Sequence, residues 1–214
     1  MPDRAIDTPT RILDTALGLF NERGTANVTT NHIAEAMGIS PGNLYYHFGN
    51  KAEIVRGLFA RILAAWSAND TLPQGAHHTF KIMDVMAAGN FEIQWAHRFF
   101  FRDFTMLLAS DPELAADYRR NRDVGMSNTL ALLRDFISAS LMQPADTRTR
   151  DDLTQLLWLV GDFWLVFRDA GGKAPTRADM DQGVRLFRRV LPDPRKPSET
   201  QSQNAALRVR AAPD

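Results

Sequence analysis

Two short helical patterns separated by a glycine limit how this chain can fold more than any other feature. Thr29 or Thr30 can cap a first helix. Gly38 then permits a left-handed backbone conformation that ends this helix. Ser40 is a good N-cap and Pro41 favours the first position of a second helix. Since start and stop signals this close together leave room only for short helices, residues 29–48 are predicted to form a helix-turn-helix.

Apolar residues in this segment indicate which side of each helix is buried. Ile33 and Met37 lie four residues apart, as do Leu44 and Phe48, so each pair shares one helical face. Ala34 is small and lets the second helix approach closely. The remaining residues of the second helix are therefore expected at its edges or in solvent.

The second helix of a helix-turn-helix enters the major groove of DNA by its N-terminal end. Asn43 can read a base edge, preferably adenine, and Gly42 allows the backbone to approach DNA closely. Hydroxyl groups, the Lys51 ammonium and free N–H groups at the helix start can bind phosphate oxygens. The predicted DNA-contacting residues are Thr30, Asn31, Gly42, Asn43, Tyr45, Tyr46, His47 and Lys51.

The overall charge does not support DNA binding, but its local distribution does. The chain has 25 basic and 25 acidic residues, whereas DNA-binding domains are usually basic. Between Arg23 and Glu53, however, the single acidic residue is Glu35. The predicted contact face is therefore nearly free of acidic groups.

Helical spacing dominates the rest of the chain, and no strand-like alternation persists. We predict an all-α protein of about nine helices, with later helices at 79–89, 91–108, 112–142, 150–170 and 177–191. Gly89-Asn90 is one of the expected breaks. We expect a DNA-binding domain at 8–50 and an effector-binding and dimerisation domain at 51–191, connected by a helix at 50–68. A connection is expected at 69–75, and a polar, proline-containing tail at 192–214.

The segment Gly42-Asn43-Leu44-Tyr45-Tyr46-His47-Phe48, followed by Lys51, resembles the DNA-binding domain of TetR-type transcriptional regulators. The resemblance covers about the first third of the chain. It implies a homodimer on a palindromic operator, usually a repressor released by a small molecule, and DNA contacts at the residues predicted above.

Two residues depart from the family pattern. His32 stands where the family often has an acidic residue that completes a capping box with Thr29, and Asn31 stands where a basic residue is common. We therefore expect His32 either to face DNA or to leave a weaker cap.

The later helices must provide a dimer interface and an effector pocket. Residues 95–104 and 111–114 also resemble one subgroup of the family, without indicating a particular ligand. An apolar stripe wider than one packing face is predicted to bury itself in a second copy, although an intramolecular core is the alternative. The predicted interface residues are Leu153, Leu156, Leu157, Val160, Trp164, Phe167, Val184 and Phe187.

Aromatic residues and methionines are suited to a largely apolar pocket for a small apolar or amphipathic effector. For any one of them, ordinary core packing is the alternative. Asp162 could orient a ligand or pair with an arginine, and Arg98, Arg102 and Asp103 are expected to form an ion-pair group. The candidate pocket residues are Phe80, Met83, Met86, Trp95, Phe99, Phe100, Phe104, Leu107, Met126, Leu130, Trp158, Asp162 and Phe163.

Other function classes are less well supported. The chain has no cysteine, which excludes disulfides, thiolate metal sites and thiol catalysis and suits a reducing cytoplasm. We predict no metal, no cofactor and no membrane insertion. An activator or a regulator without an effector is the alternative to a repressor. A helical enzyme is a more remote alternative, because the sequence contains no recognisable catalytic motif.

Overall fold

A computed structural model describes residues 7–70 and 79–191. In these two ranges the chain forms ten α-helices and one 3₁₀ turn, Thr25–Asn27, without a β-strand, which confirms the predicted all-α class. The expected tail at 192–214 and most of the expected connection at 69–75 lie outside the described residues. The helices are α1 Thr8–Arg23, α2 Thr30–Met37, α3 Pro41–His47, α4 Lys51–Asn69, α5 Phe80–Ala96, α6 Arg98–Arg102, α7 Phe104–Ser110, α8 Pro112–Ser138, α9 Thr147–Ala170 and α10 Arg177–Val190.

Helix α5 runs without interruption through Gly89-Asn90, where the sequence predicted a break. The reason is a close contact with the end of α4. A Cβ atom on Gly89 would collide with the Asn69 side chain, and the indole N–H of Trp66 donates to Asn90 Oδ1 at 2.7 Å. Gly89 and Asn90 therefore both contact α4. This packing stabilises α5 at a pair of residues that is unfavourable in an isolated helix.

The interruption occurs later, at His97 and again at Asp103, which produces the short helices α6 and α7 where one helix at 91–108 was predicted. Three consecutive phenylalanines of α6 are fully buried. Because successive residues of α6 are 100° apart, burial of all three rings requires neighbouring helices on several sides of α6.

One hydrophobic core joins the N-terminal helices to the rest of the protein, and we call it the shared core. Phe20 of α1 contacts Phe99 with ring centroids 5.4 Å apart, and Phe59 of α4 stacks on Phe100 at 4.9 Å. The helices on both sides of the expected boundary near residue 50 therefore pack in one continuous core. Within the described residues, no helix has the length and apolar character needed to cross a membrane.

Candidate nucleic-acid interface and ligand cavity

The first helix of the helix-turn-helix, α2, begins with a reciprocal cap. The backbone N–H of His32 donates to Thr29 Oγ1 at 3.2 Å, and the backbone N–H of Thr29 donates to His32 Nδ1 at 3.3 Å. His32 thus completes the capping box with a ring nitrogen in place of a carboxylate. The sequence led us to expect that His32 could leave the capping box incomplete, and this expectation is wrong.

The turn between α2 and α3 has the predicted geometry. Gly38 has φ 66° and ψ 32°, in the left-handed region. Ser40 caps α3, because its hydroxyl accepts from the backbone N–H of Asn43 at 3.2 Å. Leu44 is fully buried and anchors α3 against α2. These contacts place the N-terminal end of α3 at the surface.

The outer side of α3 is exposed and carries most of the predicted contact residues. Gly42 and Asn43 are exposed, and so is Asn31 on α2. Tyr46 is 84% exposed, while Tyr45 is 48% exposed and its hydroxyl lies 2.9 Å from Thr30 Oγ1. His47 is half-buried against the Tyr46 ring. The face is polar and uncharged, and its contacts with DNA stay predictions.

Lys51 has a structural role in addition to its predicted phosphate contact. Its ammonium donates to the carbonyl oxygens of Thr25 at 2.8 Å and Val28 at 3.0 Å. These carbonyls belong to the segment that leads into α2, so Lys51 holds α4 to the start of the helix-turn-helix.

Asp103, between α6 and α7, makes a second polar contact with the segment that leads into α2. Its carboxylate accepts from the backbone N–H of Thr25 at 2.8 Å and from the Thr25 hydroxyl. The expected ion-pair group is therefore wrong: Arg98 packs over Trp95, and Arg102 pairs with Asp169 at 3.6 Å. Sequence reasoning missed this contact because its partners are 78 residues apart.

A cavity of about 540 Å³ lies between α4, α5, α8, α9 and α10. Of the predicted pocket residues, Met83, Met86, Trp158 and Asp162 line it. Gly125 of α8 is needed there, because a Cβ atom would collide with the Trp158 ring. The lining is more polar than predicted: alongside apolar residues it includes Asn69, Asp70, Asn90, Asn121, Asn128, Thr129, Asp135 and Asp162.

The other candidates do not line this cavity, and the prediction is corrected for them. Phe99, Phe100, Phe104 and Leu107 belong to the shared core, where burial from several helices outweighs any local signal. Phe80 packs on Phe136 in a second, smaller core cluster. Trp95, Met126 and Leu130 are also absent from this lining. Phe163 lines a second cavity of about 550 Å³ that shares Trp158 and Asp162 with the first.

Among the residues that line the cavity, Asp162 has the most clearly shifted pKa. Burial raises the pKa of its carboxyl to about 6, and the hydrogen bond from Tyr118 together with the charge of Arg122 opposes that rise. The Tyr118 hydroxyl donates to Asp162 Oδ2 at 2.6 Å. Burial in turn raises the pKa of Tyr118, and the negative charge of Asp162 adds to this.

Helix α9 has apolar residues on two adjoining sides. Leu153, Leu157 and Trp164 are buried within the protein, so this half of the predicted dimer stripe is intramolecular core. Val160, Val184 and Phe187 are partly buried against the shared core. Leu156 and Phe167 are exposed, together with Leu159 and with Phe163, which was predicted for the pocket. These four residues form the outer face of α9.

Two family models match successive parts of the chain. The model described as bacterial regulatory proteins of the tetR family matches residues 12–58, and that described as a bacterial transcriptional repressor matches residues 67–192. Among curated relatives, the regulator TtgR of Pseudomonas putida is 41% identical over 56 residues. That match spans 26% of this chain and 27% of TtgR. The repressor KstR2 of Mycobacterium tuberculosis is 29% identical over 117 residues, 52% of this chain and 58% of KstR2.

A solved TetR-family regulator from Marinobacter aquaeolei superimposes with a TM-score of 0.81 at 31% identity, covering 97% of this chain and all of the other. PfmR from Thermus thermophilus, at 21% identity, shares the fold with a TM-score of 0.66 over 85% of this chain and 97% of PfmR. From the family models, the near-complete structural match and the geometry of the helix-turn-helix, it follows that the chain belongs to the TetR family of bacterial transcriptional regulators.

Proposed function

We propose that the protein is a repressor that binds a palindromic DNA operator as a homodimer and is released by a small molecule. The observation that carries this proposal is the exposed, acid-poor outer side of α3, held by a capped helix-turn-helix. Residues 8–50 serve as the DNA-binding domain and residues 51–191 as the effector-binding and dimerisation domain. The protein acts in the cytoplasm, where it reaches DNA.

Binding to DNA uses the N-terminal end of α3. Asn43 is exposed and its side chain is free to reach a base edge, because the Ser40 cap engages only its backbone N–H. Tyr46 is almost entirely exposed beside it and can donate its hydroxyl to a phosphate oxygen. A face of this kind reads sequence by hydrogen bonds and depends little on general attraction between charges.

Dimerisation uses the outer face of α9. Leu159 and Phe167 are 56% and 67% exposed, and an apolar strip of this size on a helix surface is typical of protein–protein contacts. A two-fold symmetric pair would present two copies of α3 to half-sites about 34 Å apart, one turn of DNA. The palindrome follows from that symmetry.

Release by an effector requires a part of the molecule that contacts both the ligand and the DNA-binding helices. Helix α4 meets this requirement, since Trp66 and Asn69 line the cavity while Phe59 packs in the shared core. A ligand that fits one position of α4 better than another shifts the dimer between DNA-competent and released states.

The experiment that tests this proposal is selection of binding sites from random double-stranded DNA at physiological salt. We expect a palindromic sequence to be enriched by the full chain. A matched variant with Asn43→Asp and Tyr46→Ala, which alters only exposed side chains, should enrich none. If the unaltered chain selects no specific sequence, the proposal is wrong. If a site is selected but no ligand releases it, the effector-independent alternative is favoured.

A further inference from the structure

Helix α6 is held to the DNA-binding helices by hydrogen bonds at both of its ends. At its N-terminal end, the side-chain amide of Asn21 donates to the Ala96 carbonyl oxygen at 2.7 Å and accepts from the backbone N–H of Phe99 at 3.0 Å. At its C-terminal end, Asp103 accepts from the backbone N–H and the hydroxyl of Thr25. We call these two sets of hydrogen bonds the α6 clamp.

The Asn21 contact satisfies backbone groups that the break between α5 and α6 leaves without helical partners. Helix α5 ends at Ala96 and α6 begins at Arg98, so the last carbonyls of one helix and the first N–H groups of the other need partners from elsewhere. An amide side chain has both a donor and an acceptor, so Asn21 can bond to both sides of the break at once. It therefore fixes the position of α1 relative to the junction of α5 and α6.

The aromatic contacts in the same region hold the helices together without fixing the angle between them. Phe20 contacts Phe99, and Phe59 stacks on Phe100. Hydrophobic contact is non-directional, whereas a hydrogen bond weakens steeply once its donor is no longer aimed at its acceptor. Anchors at the two ends of a five-residue helix, about 7.5 Å apart, therefore resist a rotation that a single anchor would permit.

Helix α6 also packs against α9, the helix proposed for dimerisation. Arg102 of α6 pairs with Asp169 of α9 at 3.6 Å. Phe104, at the start of α7, packs edge-on against Phe163 on the outer face of α9, with ring centroids 5.5 Å apart. The segment that the α6 clamp holds against the DNA-binding helices therefore also contacts the helix that sets the geometry of the dimer.

We propose that Asn21 and Asp103 are positioning residues that set the spacing between the two half-sites of the operator. By fixing the helix-turn-helix relative to α9, the α6 clamp fixes the distance and the angle between the two copies of α3. One additional base pair moves the second half-site by about 3.4 Å and turns it by about 34° around the DNA axis. A rigid dimer rejects that change, and a dimer with rotating DNA-binding helices accepts it. The proposal rests on the dimer and the palindrome proposed above.

The test measures binding to palindromes that differ only in the spacer between the half-sites selected by the unaltered chain. We expect that chain to bind its selected spacer at least about tenfold more tightly than spacers one base pair longer or shorter. In Asn21→Ala and in Asp103→Ala this ratio should fall at least about threefold, because the DNA-binding helices are no longer held in one orientation. The base preference within each half-site should not change, since α3 is unaltered. An unchanged ratio in both variants would overturn the proposal.

The ratio separates positioning from stability, because it compares two DNA sites for one protein and a general loss of folded protein cancels. Asn21→Asp is the graded variant: its carboxylate still accepts from the Phe99 N–H but cannot donate to the Ala96 carbonyl, so its ratio should be intermediate. The matched control is Asn27→Ala, because Asn27 donates to the Arg23 carbonyl at 2.8 Å, within the DNA-binding helices. If this control loses the ratio as much as Asn21→Ala, the α6 clamp has no special role and the proposal is wrong.

A second measurement tests the α6 clamp without DNA. The chain has no cysteine, so spin labels can be attached at Glu35→Cys on α2 and Val85→Cys on α5, which are both exposed positions. Pulsed electron spin resonance on labelled chains diluted with unlabelled protein measures the distance between the two labels of one chain. We expect a distance distribution at least about twice as wide in Asn21→Ala as in the labelled chain without this substitution. Equal widths would contradict the α6 clamp.

The two proposals fail in different ways. If the unaltered chain selects no palindrome, the repressor function and the spacing role are both rejected. If it selects a palindrome and the spacer ratio survives in Asn21→Ala and Asp103→Ala, the repressor function stands and the role of the α6 clamp is rejected alone.

Discussion

The carboxylate of Asp103 accepts two hydrogen bonds from Thr25, one from its backbone N–H at 2.8 Å and one from its hydroxyl. Thr25 is almost fully buried at the start of the segment that leads into α2, and Asp103 lies at the junction of α6 and α7. The contact therefore links the helical domain directly to the DNA-binding helices.

Asp103→Ala should destabilise the protein by about 1–3 kcal/mol, because the buried N–H of Thr25 would lose its acceptor. Urea denaturation measures the change. Asp103→Asn is the matched variant: its carbonyl oxygen can still accept from that N–H, so the loss should be smaller. Equal losses in the two variants would contradict the hydrogen-bonding role. Operator binding should weaken in Asp103→Ala more than in Asp103→Asn, since Thr25 helps to position α2.

His32→Ala should remove the acceptor for the Thr29 N–H and lower stability by up to about 1 kcal/mol. His32→Glu should restore the capping box and add a favourable charge at the helix N-terminus, which contributes about 0.3–1 kcal/mol. Thermal unfolding without DNA measures the stability of the two variants and of the unaltered protein. Loss of DNA binding in His32→Ala with unchanged stability would indicate that the ring contacts DNA and that its cap contributes nothing.

Asn43→Ala should reduce discrimination at one base position of each half-site by about 1–3 kcal/mol. The Ser40 cap uses the backbone N–H of residue 43, so the helix should remain intact. Competition binding against operators altered at each position measures the effect. Tyr46→Phe is the contrasting variant, because loss of a phosphate contact should weaken binding to every sequence alike. An unchanged site preference in Asn43→Ala would refute base reading by this residue.

Asp162 should make the protein less stable as the pH rises from about 4 to about 6. Burial raises the pKa of this carboxyl from its ordinary value of 3.8 to about 6 in the folded state. Between these values the folded protein holds a proton that the unfolded chain releases, so folding is penalised progressively with rising pH.

Asp162→Asn should therefore be more stable than the unaltered protein by about 1–3 kcal/mol at pH 7.5 and should lose that advantage at pH 4. Urea denaturation of both proteins at the two pH values measures the difference, and contributions from other groups cancel in the comparison. A stability difference that is the same at pH 4 and pH 7.5 would show that burial does not perturb this carboxyl.

Leu159→Lys should weaken dimerisation at least about tenfold, because it places an ammonium in an apolar contact. Sedimentation equilibrium measures the association constant. Val85→Lys is the matched control, since Val85 is 65% exposed on α5, away from the outer face of α9. If Leu159→Lys associates as strongly as the control, the dimer forms through another surface.

Local signals made the helix-turn-helix predictable. Thr29, Gly38 and Ser40 act within four or five residues of their own positions, so their effects can be inferred without knowing the rest of the fold. His32 was misjudged because an imidazole nitrogen is an unusual acceptor at this position of a capping box. The contact itself is short-range and could have been anticipated.

The cavity between α4, α5, α8, α9 and α10 could not be predicted in the same way. Phe99, Phe100 and Phe104 have the composition of a pocket, yet they fill the shared core. Whether an aromatic residue borders a core or a cavity depends on which distant helices cover it. The polar lining from Asn69, Asn121 and Asn128 was missed because those residues follow no shared local pattern.

The sequence by itself determined the helical class, the helix-turn-helix and the family, because capping, glycine turns and helical spacing act over a few neighbouring residues. The tertiary structure decided how Asp103 meets Thr25, why Gly89-Asn90 does not end α5, and which side of α9 remains exposed. Each of these depends on contacts between helices far apart in the chain. Their free energy comes from burial and hydrogen bonding that exist only once the helices have packed.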